Sequence, residues 1–202
     1  MFAGMGRLNR NIKRNHYYHL VNRGVARQPT YLDQYDYGEY IRLLTKACQK
    51  HPLDIIAFVL MPNHYHILIQ ALDSEDVSKC MHWANGMYAR YFNERYDRTG
   101  HLWQNRFYSK EIRDGRQLGN TWMYVDQNPV RAEMVTAPAD WKWSSAYLRK
   151  HGNFMRCLVE PHWWGTPPMH DWWSEELLDT ETLEKVRKSL KCRVLDTVEM
   201  WE

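Results

Sequence analysis

Cysteine is scarce in this chain. Only Cys48, Cys80, Cys157 and Cys192 occur, and no two of them stand at C-x-x-C spacing. That argues against a zinc ribbon and against a disulfide framework, and fits a reducing cytoplasm. Long apolar runs are missing too: although 44% of residues are hydrophobic, none of the runs approaches the roughly 18 residues a membrane span needs. The opening MFAGMGRLNRNIKRN is basic but has no apolar stretch of the kind a secretory signal requires. Acids are absent before Asp33, while Arg7, Arg10, Lys13, Arg14, Arg23 and Arg27 all precede it. From Asp171 onward the balance reverses, with nine acids against five bases. A basic arm and an acidic tail suit an anionic partner at one end of the molecule. The 202 residues fit one domain with an appendage, or two small domains.

What is present centres on Met61-Pro62-Asn63-His64-Tyr65-His66, followed by Ile67-Leu68-Ile69 and preceded by Ile55-Ile56-Ala57-Phe58-Val59-Leu60. Two β-branched and apolar runs across a short Pro-Asn turn read as a hairpin. Strand side chains alternate, so His64 and His66 point the same way, about 7 Å apart, and Tyr65 faces the opposite side. Two imidazoles at that spacing can share one metal ion; two packed or exposed histidines would show the same pattern.

Along the chain, His16–Val25 reads as a first strand. Asp36 with Glu39 resembles a capping box, and Tyr40, Leu43, Leu44 and Ala47 follow at helical spacing until His51-Pro52. After the hairpin, Asp73 or Ser74 caps a helix to about Tyr96, with Val77, Met81, Ala84, Tyr88 and Tyr91 as its buried stripe. Gly100 opens a loop, and Arg106–Ile112 suits a last strand. A third helix from Asp114 to about Gln127 gathers Leu118, Trp122 and Val125 on one side and Gln117, Asn120, Thr121, Tyr124 and Asn128 on another. Pro129 is expected to end it. This order gives an α+β domain over residues 1–150: an antiparallel β-sheet with helices on one face. Residues 151–202 read as a Trp-rich tail holding Trp163-Trp164 and Trp172-Trp173. A helix marked by Leu183, Val186, Leu190 and Val194 closes the tail.

A histidine pair on a sheet, a tyrosine on a polar helix face and scattered arginines suggest phosphodiester chemistry. A tyrosine hydroxyl, with an ordinary pKa near 10, attacks phosphorus when a divalent cation polarises the non-bridging oxygens. The segments HLVNRG, MPNHYHIL, GHLWQNRFYSKEI, YVDQNPVRAEMV and WKWSSAY, in that order between His16 and Tyr147, resemble the REP-associated tyrosine transposases, the single-tyrosine branch of the HUH nucleases. The resemblance implies a ferredoxin-like fold and a divalent ion, Mg²⁺ or Mn²⁺, held by His64 and His66. It implies Tyr124 as the nucleophile that opens single-stranded DNA and keeps the 5′ phosphate as a phosphotyrosine. It also implies Asn128, one helical turn later, as the third metal ligand, with Gln127 as its neighbour in competition. The substrate implied is palindromic REP-type DNA folded into a hairpin. The REP-associated branch implies a working monomer, whereas related insertion-sequence transposases pair as dimers.

Hairpin recognition needs phosphate contacts for position and base contacts for identity. Arg23 and Arg106, in shared segments, lead the candidates, with Arg14, Arg27, Arg113, Tyr17, Trp103 and Phe107 beside them; ten tryptophans and thirteen tyrosines supply flat surfaces. Two other readings compete with the transposase. One is a domesticated hairpin-binding protein that does not cut, and the other is an unrelated metal hydrolase built on the His-x-His pair.

Overall fold

The computed structural model describes residues 11–152, 155, 157–159 and 177–190. Its centre is a four-stranded antiparallel sheet formed by β1 (Tyr17–Arg23), β2 (Asp54–Met61), β3 (His64–Gln70) and β4 (Tyr108–Ile112), in the order β2-β3-β1-β4. The expected hairpin is β2–β3, closed by Pro62-Asn63, with Met61 opposite His64 and Val59 opposite His66. Strand β2 carries one extra residue between Ile55 and Ala57. The bulge resets the alternation, so Ile56 and Ala57 both turn to one face while Ile55, Phe58 and Leu60 turn to the other.

The α+β class and the antiparallel sheet are as expected, but the helices cover both faces rather than one. Helices α1 (Gln34–Lys50) and α2 (Asp76–Arg95) pack on the face of Leu20, Phe58, Leu60, Tyr65 and Ile67. Helix α3 (Gly115–Arg131) covers the opposite face, over Ile56, Val59, Met61 and Leu68. The reason is that α3 has its own apolar stripe, Leu118, Trp122 and Val125, and β2 and β3 are apolar on both sides and need two covers.

The first core is rich in tyrosine, and several of its buried hydroxyls have partners. Tyr40 Oη donates to Asn85 Oδ1 (2.9 Å), Asn85 Nδ2 donates to Tyr65 Oη (2.9 Å), and Tyr88 Oη donates to the Thr30 carbonyl (2.6 Å). Buried hydroxyls with partners are tolerated; without them each would oppose folding. At the end of β1, Gly24 is needed because a Cβ there would stand 2.4 Å from the Gln28 carbonyl oxygen.

Helix α1 starts three residues earlier than expected. Its cap is Asp33, whose side chain accepts from the amides of Tyr35 and Asp36. Asp36 has a different task. Fully buried, it accepts from the Leu32 amide (2.8 Å), Tyr91 Oη (3.1 Å), Tyr96 Oη (2.8 Å) and Arg95 (2.6 Å), locking the start of α1 to the end of α2. Helix α2 instead starts later than expected, at Asp76, with Glu75 in the place of the Asp73 or Ser74 cap and no side-chain cap.

Helix α3 continues through Pro129 to Arg131, where an end had been expected. Proline removes one N–H, yet Ala132 still donates to the Asn128 carbonyl (3.0 Å) and Met134 to that of Pro129 (2.9 Å), so the last turn holds. Residues beyond 140 then cover the outer edge of β2. Leu60 N–H donates to the Trp143 carbonyl (2.9 Å) and Ile55 N–H to that of Cys157 (2.6 Å). The short helix α4 (Ser145–Lys150) follows, capped by Ser144. Helix α5 (Thr180–Leu190) packs Leu183, Val186 and Leu190 into the α3 core. The described parts of the tail thus enter both cores. Val194 and the two Trp-Trp pairs lie outside the described residues.

Replacing Asp36 with alanine should strand several partly buried donors and destabilise the protein by about 3 kcal/mol in urea unfolding. Glu39→Ala, which removes only the surface pair with Arg42 (2.6 Å), should leave the unfolding midpoint nearly unchanged.

Candidate active site

The alternation of β3 sends Tyr65 into the aromatic core and His64 and His66 to the opposite face, under α3. The two imidazole centroids are 5.0 Å apart and nearly perpendicular. His64 Nδ1 is bonded to Asn63 Oδ1 at 2.7 Å. An oxygen at that place accepts the ring N–H, which leaves Nε2 of His64 with its lone pair. His66 is fully buried, and its Nε2 finds no hydrogen-bond partner among the described residues. A buried ring nitrogen without a partner suits a cation, so the pair fits a metal site.

A third histidine, unforeseen in the sequence, belongs to this face. His19 on β1 is fully buried, stacks on His66 with centroids 5.1 Å apart, and places Nε2 3.0 Å from His66 Nδ1. The available signal was the same two-residue alternation applied to β1, which puts Tyr17, His19, Val21 and Arg23 on one face.

Burial sets the charge of all three rings. It lowers the pKa of His19 to about 3. For His64 burial and then the nearby Arg23 charge lower it to about 4. His66 is held well below 6.5 by burial and then by its two histidine neighbours. All three are therefore neutral at physiological pH, the form in which imidazole ligates a metal.

Helix α3 supplies the other half of the site. Asp114 caps it by accepting from the Gln117 amide (2.8 Å), and Gln117 Oε1 accepts in turn from the Arg113 amide (2.8 Å). The polar side read from the helical wheel is turned onto the sheet: Thr121 is fully buried and Tyr124 only 2% exposed. The Tyr124 ring meets His66 edge-on at 5.5 Å and His19 at 6.2 Å. Tyr124 thus shares a core with Leu118, Trp122 and Val125 instead of standing apart from them, because the sheet it faces is polar at that point.

One turn on, Asn128 Nδ2 donates to the Tyr124 carbonyl (2.6 Å), which leaves the amide oxygen as the atom that could take a cation. Gln127 points elsewhere: its Oε1 accepts from the Leu178 amide (3.0 Å) and from Arg131 (3.2 Å), tying α3 to the approach of α5. Among the described residues no three His, Cys, Asp or Glu side chains are placed to hold an ion together, so a third protein ligand would be of another type. Arg131 is a further neighbour missed in the sequence. Burial and then Arg187 on α5 lower its pKa, and Tyr124 raises it.

The sequence model for transposases of the IS200-like type matches residues 12–128, a span that takes in the sheet, both histidines, Tyr124 and Asn128. The chain belongs to that family. The transposase is also 27% identical over 153 residues to a Haemophilus influenzae protein named as a REP-associated tyrosine transposase, covering 70% of this chain and 83% of the relative. A solved REP-associated tyrosine transposase bound to a REP hairpin superposes with a TM-score of 0.58 at 19% identity, covering 78% of this chain and 93% of that one. At that identity the likeness speaks to the fold.

The residues expected to touch DNA fall into separate regions of the transposase. Arg23, 9% exposed, pairs across the sheet with His64 and donates to Gln104 Oε1 (3.0 Å), so it adjoins the histidines. Arg27 is exposed in the loop after β1, and its carbonyl accepts from Asn63 Nδ2 (3.1 Å). Arg14, Tyr17 and Arg113 lie at the other end of the sheet, where Tyr17 pairs with Ile112, about 20 Å from Arg23 along the strand.

Arg106 is exposed and lines a groove of about 1240 Å³ between α2, β4 and the loop around residue 103. Trp103 and Phe107 also reach that groove, but they turn mainly inward. The Trp103 ring packs against Tyr40, Tyr65 and Tyr88 and donates to the Asn85 carbonyl (3.0 Å), and Phe107 is 5% exposed. Both were expected as stacking surfaces; burial takes up most of Phe107, while the half-buried Trp103 keeps an edge on the groove. No described helix is long and apolar enough to cross a membrane.

The buried histidines make a signed prediction for stability against pH. In the unfolded chain they take up protons near pH 6.5, whereas the folded rings, with lowered pKa values, do not. Stability should therefore be intact above pH 6.5 and fall as pH drops below it, by at most about 1.4 kcal/mol per pH unit for each ring. Urea unfolding at pH 7, 6 and 5 should show this slope, and His66→Phe should make it shallower.

Proposed function

We propose that this transposase cuts and rejoins single-stranded hairpin DNA through a covalent tyrosine intermediate at the His64, His66, Tyr124 site. The observation that carries the reading is the contact of the Tyr124 ring with His66, bringing a candidate nucleophile and a candidate ion site together across about 60 residues of chain.

In this reading His64 Nε2, His66 Nε2 and the Asn128 amide oxygen hold a divalent ion, Mg²⁺ or Mn²⁺. When bound, the ion supplies positive charge to the non-bridging oxygens of the scissile phosphate. Tyr124 Oη forms a bond to phosphorus as the bond from phosphorus to the 3′ oxygen breaks. The phenol gives up its proton and the departing 3′ oxygen gains one. A 3′ hydroxyl attacking the phosphotyrosine reverses the step and reseals the strand without a nucleotide cofactor. Because Tyr124 is 2% exposed, admitting a phosphate requires side chains around it to move. Arg23, beside His64, is placed to hold a phosphate of the strand near the ion, and the exposed Arg14, Arg27, Arg106 and Arg113 can grip the duplex part by charge. Binding without cutting is the competing reading, since Arg23 and the surface arginines would serve it equally well.

A covalent protein–DNA adduct on a denaturing gel decides between them. With a single-stranded REP-type hairpin and Mn²⁺, the unaltered chain should form the adduct, Tyr124→Phe should form none, and His64→Ala should lose at least about 100-fold in rate. Equal adduct from Tyr124→Phe would remove the proposed nucleophile; tight, salt-sensitive binding with no adduct would support binding alone. For the third ligand, Asn128→Asp keeps an oxygen but loses the donor to the Tyr124 carbonyl. It should retain Mn²⁺ binding in calorimetry, whereas Asn128→Leu should weaken it.

A further inference from the structure

The His19–His66 contact sets a condition on the ion site. Each ring uses one nitrogen on the other, Nε2 of His19 to Nδ1 of His66 at 3.0 Å, and the remaining pair, His19 Nδ1 and His66 Nε2, find no partner among the described residues. Two neutral imidazoles share one hydrogen bond in only two ways. If His19 Nε2 carries the proton, His66 Nδ1 accepts it and His66 Nε2 must carry its own hydrogen, which blocks a metal. If His66 Nδ1 carries the proton, His19 Nε2 accepts it and His66 Nε2 presents a lone pair. Asn63 imposes the second arrangement on His64 with an oxygen that can only accept. No oxygen does so for His66.

We propose that His19 is the positioning residue of this site, accepting the Nδ1 hydrogen of His66 so that His66 Nε2 faces the ion as a ligand. The role rests on reading His64 and His66 as ion ligands. The surroundings favour it over a packing role. The two rings are fully buried and parallel within 9°, a geometry that fixes ring orientation as well as tautomer. As packing the pair is poor, because it leaves two ring nitrogens buried without partners where aliphatic side chains would leave none.

Two measurements on the full chain test this. In the metal-free protein, long-range ¹H–¹⁵N correlation of histidine-labelled material should show His66 protonated at Nδ1 and bare at Nε2; the opposite tautomer would overturn the proposal. By calorimetric Mn²⁺ titration, His19→Leu should bind about 10- to 100-fold more weakly than the unaltered chain without a lower melting temperature. His19→Gln, whose amide oxygen can stand in for Nε2 as acceptor, should restore most of the affinity. Equal weakening in both variants, with lower melting temperatures, would reduce His19 to packing. Unchanged affinity in His19→Leu would remove its role while leaving the ion site standing. No Mn²⁺ uptake by the unaltered chain would instead overturn the ion-site reading, and the proposal with it.

Discussion

The two-residue period of β3 is the constraint on which the rest depends. It turns Tyr65, Ile67 and Ile69 into the core beneath α1 and α2, and His66 and Leu68 toward α3. One strand therefore anchors the larger core and displays the histidines. A slip of one residue would exchange the faces, burying imidazoles among tyrosines and presenting Tyr65 to α3. Register is held from both sides, by β2 with its bulge and by β1, whose Arg23 stands opposite His64.

Helix α3 carries the other half of the candidate site, and its position is fixed by contacts away from Tyr124. Leu118, Trp122 and Val125 bury against β2 and β3. Asp126 accepts from Ser145 Oγ (3.2 Å), and that hydroxyl also accepts from the Phe58 amide (2.9 Å), linking α3, α4 and β2. Gln127 and Arg131 hold the segment before α5. Tyr124 lies inside this frame and is oriented by it. The arrangement matches what preorganisation of a candidate nucleophile requires, a side chain on an element whose own supports are packed.

Much of the fold could be read from periodicity. Tyr40, Leu43, Leu44 and Ala47, and Val77, Met81, Ala84 and Tyr88, are buried as their spacing implied. The misreadings have local causes. Asp36 looked like a cap because Glu39 stands three residues later, but its carboxylate is held inward by Tyr91 and Arg95 of α2 and by Tyr96 just beyond it, and Asp33 caps instead. Pro129 looked like a stop because its ring disfavours helical geometry at the preceding Asn128; tertiary contacts of Gln127 and Arg131 accompany a helix that runs two residues past it.

By itself the sequence determined the strand and helix order, the shared direction of His64 and His66, and membership of the IS200-like transposases, since all of these rest on short-range spacing and ordered motifs. Only the tertiary structure decided that helices cover both faces, that Tyr124 is buried against His66, and that His19 completes the histidine face. Those outcomes depend on which strand lies beside which. Pairing β1 with β3 brings His19 to His66 across 47 positions of chain, a contact that no local pattern encodes.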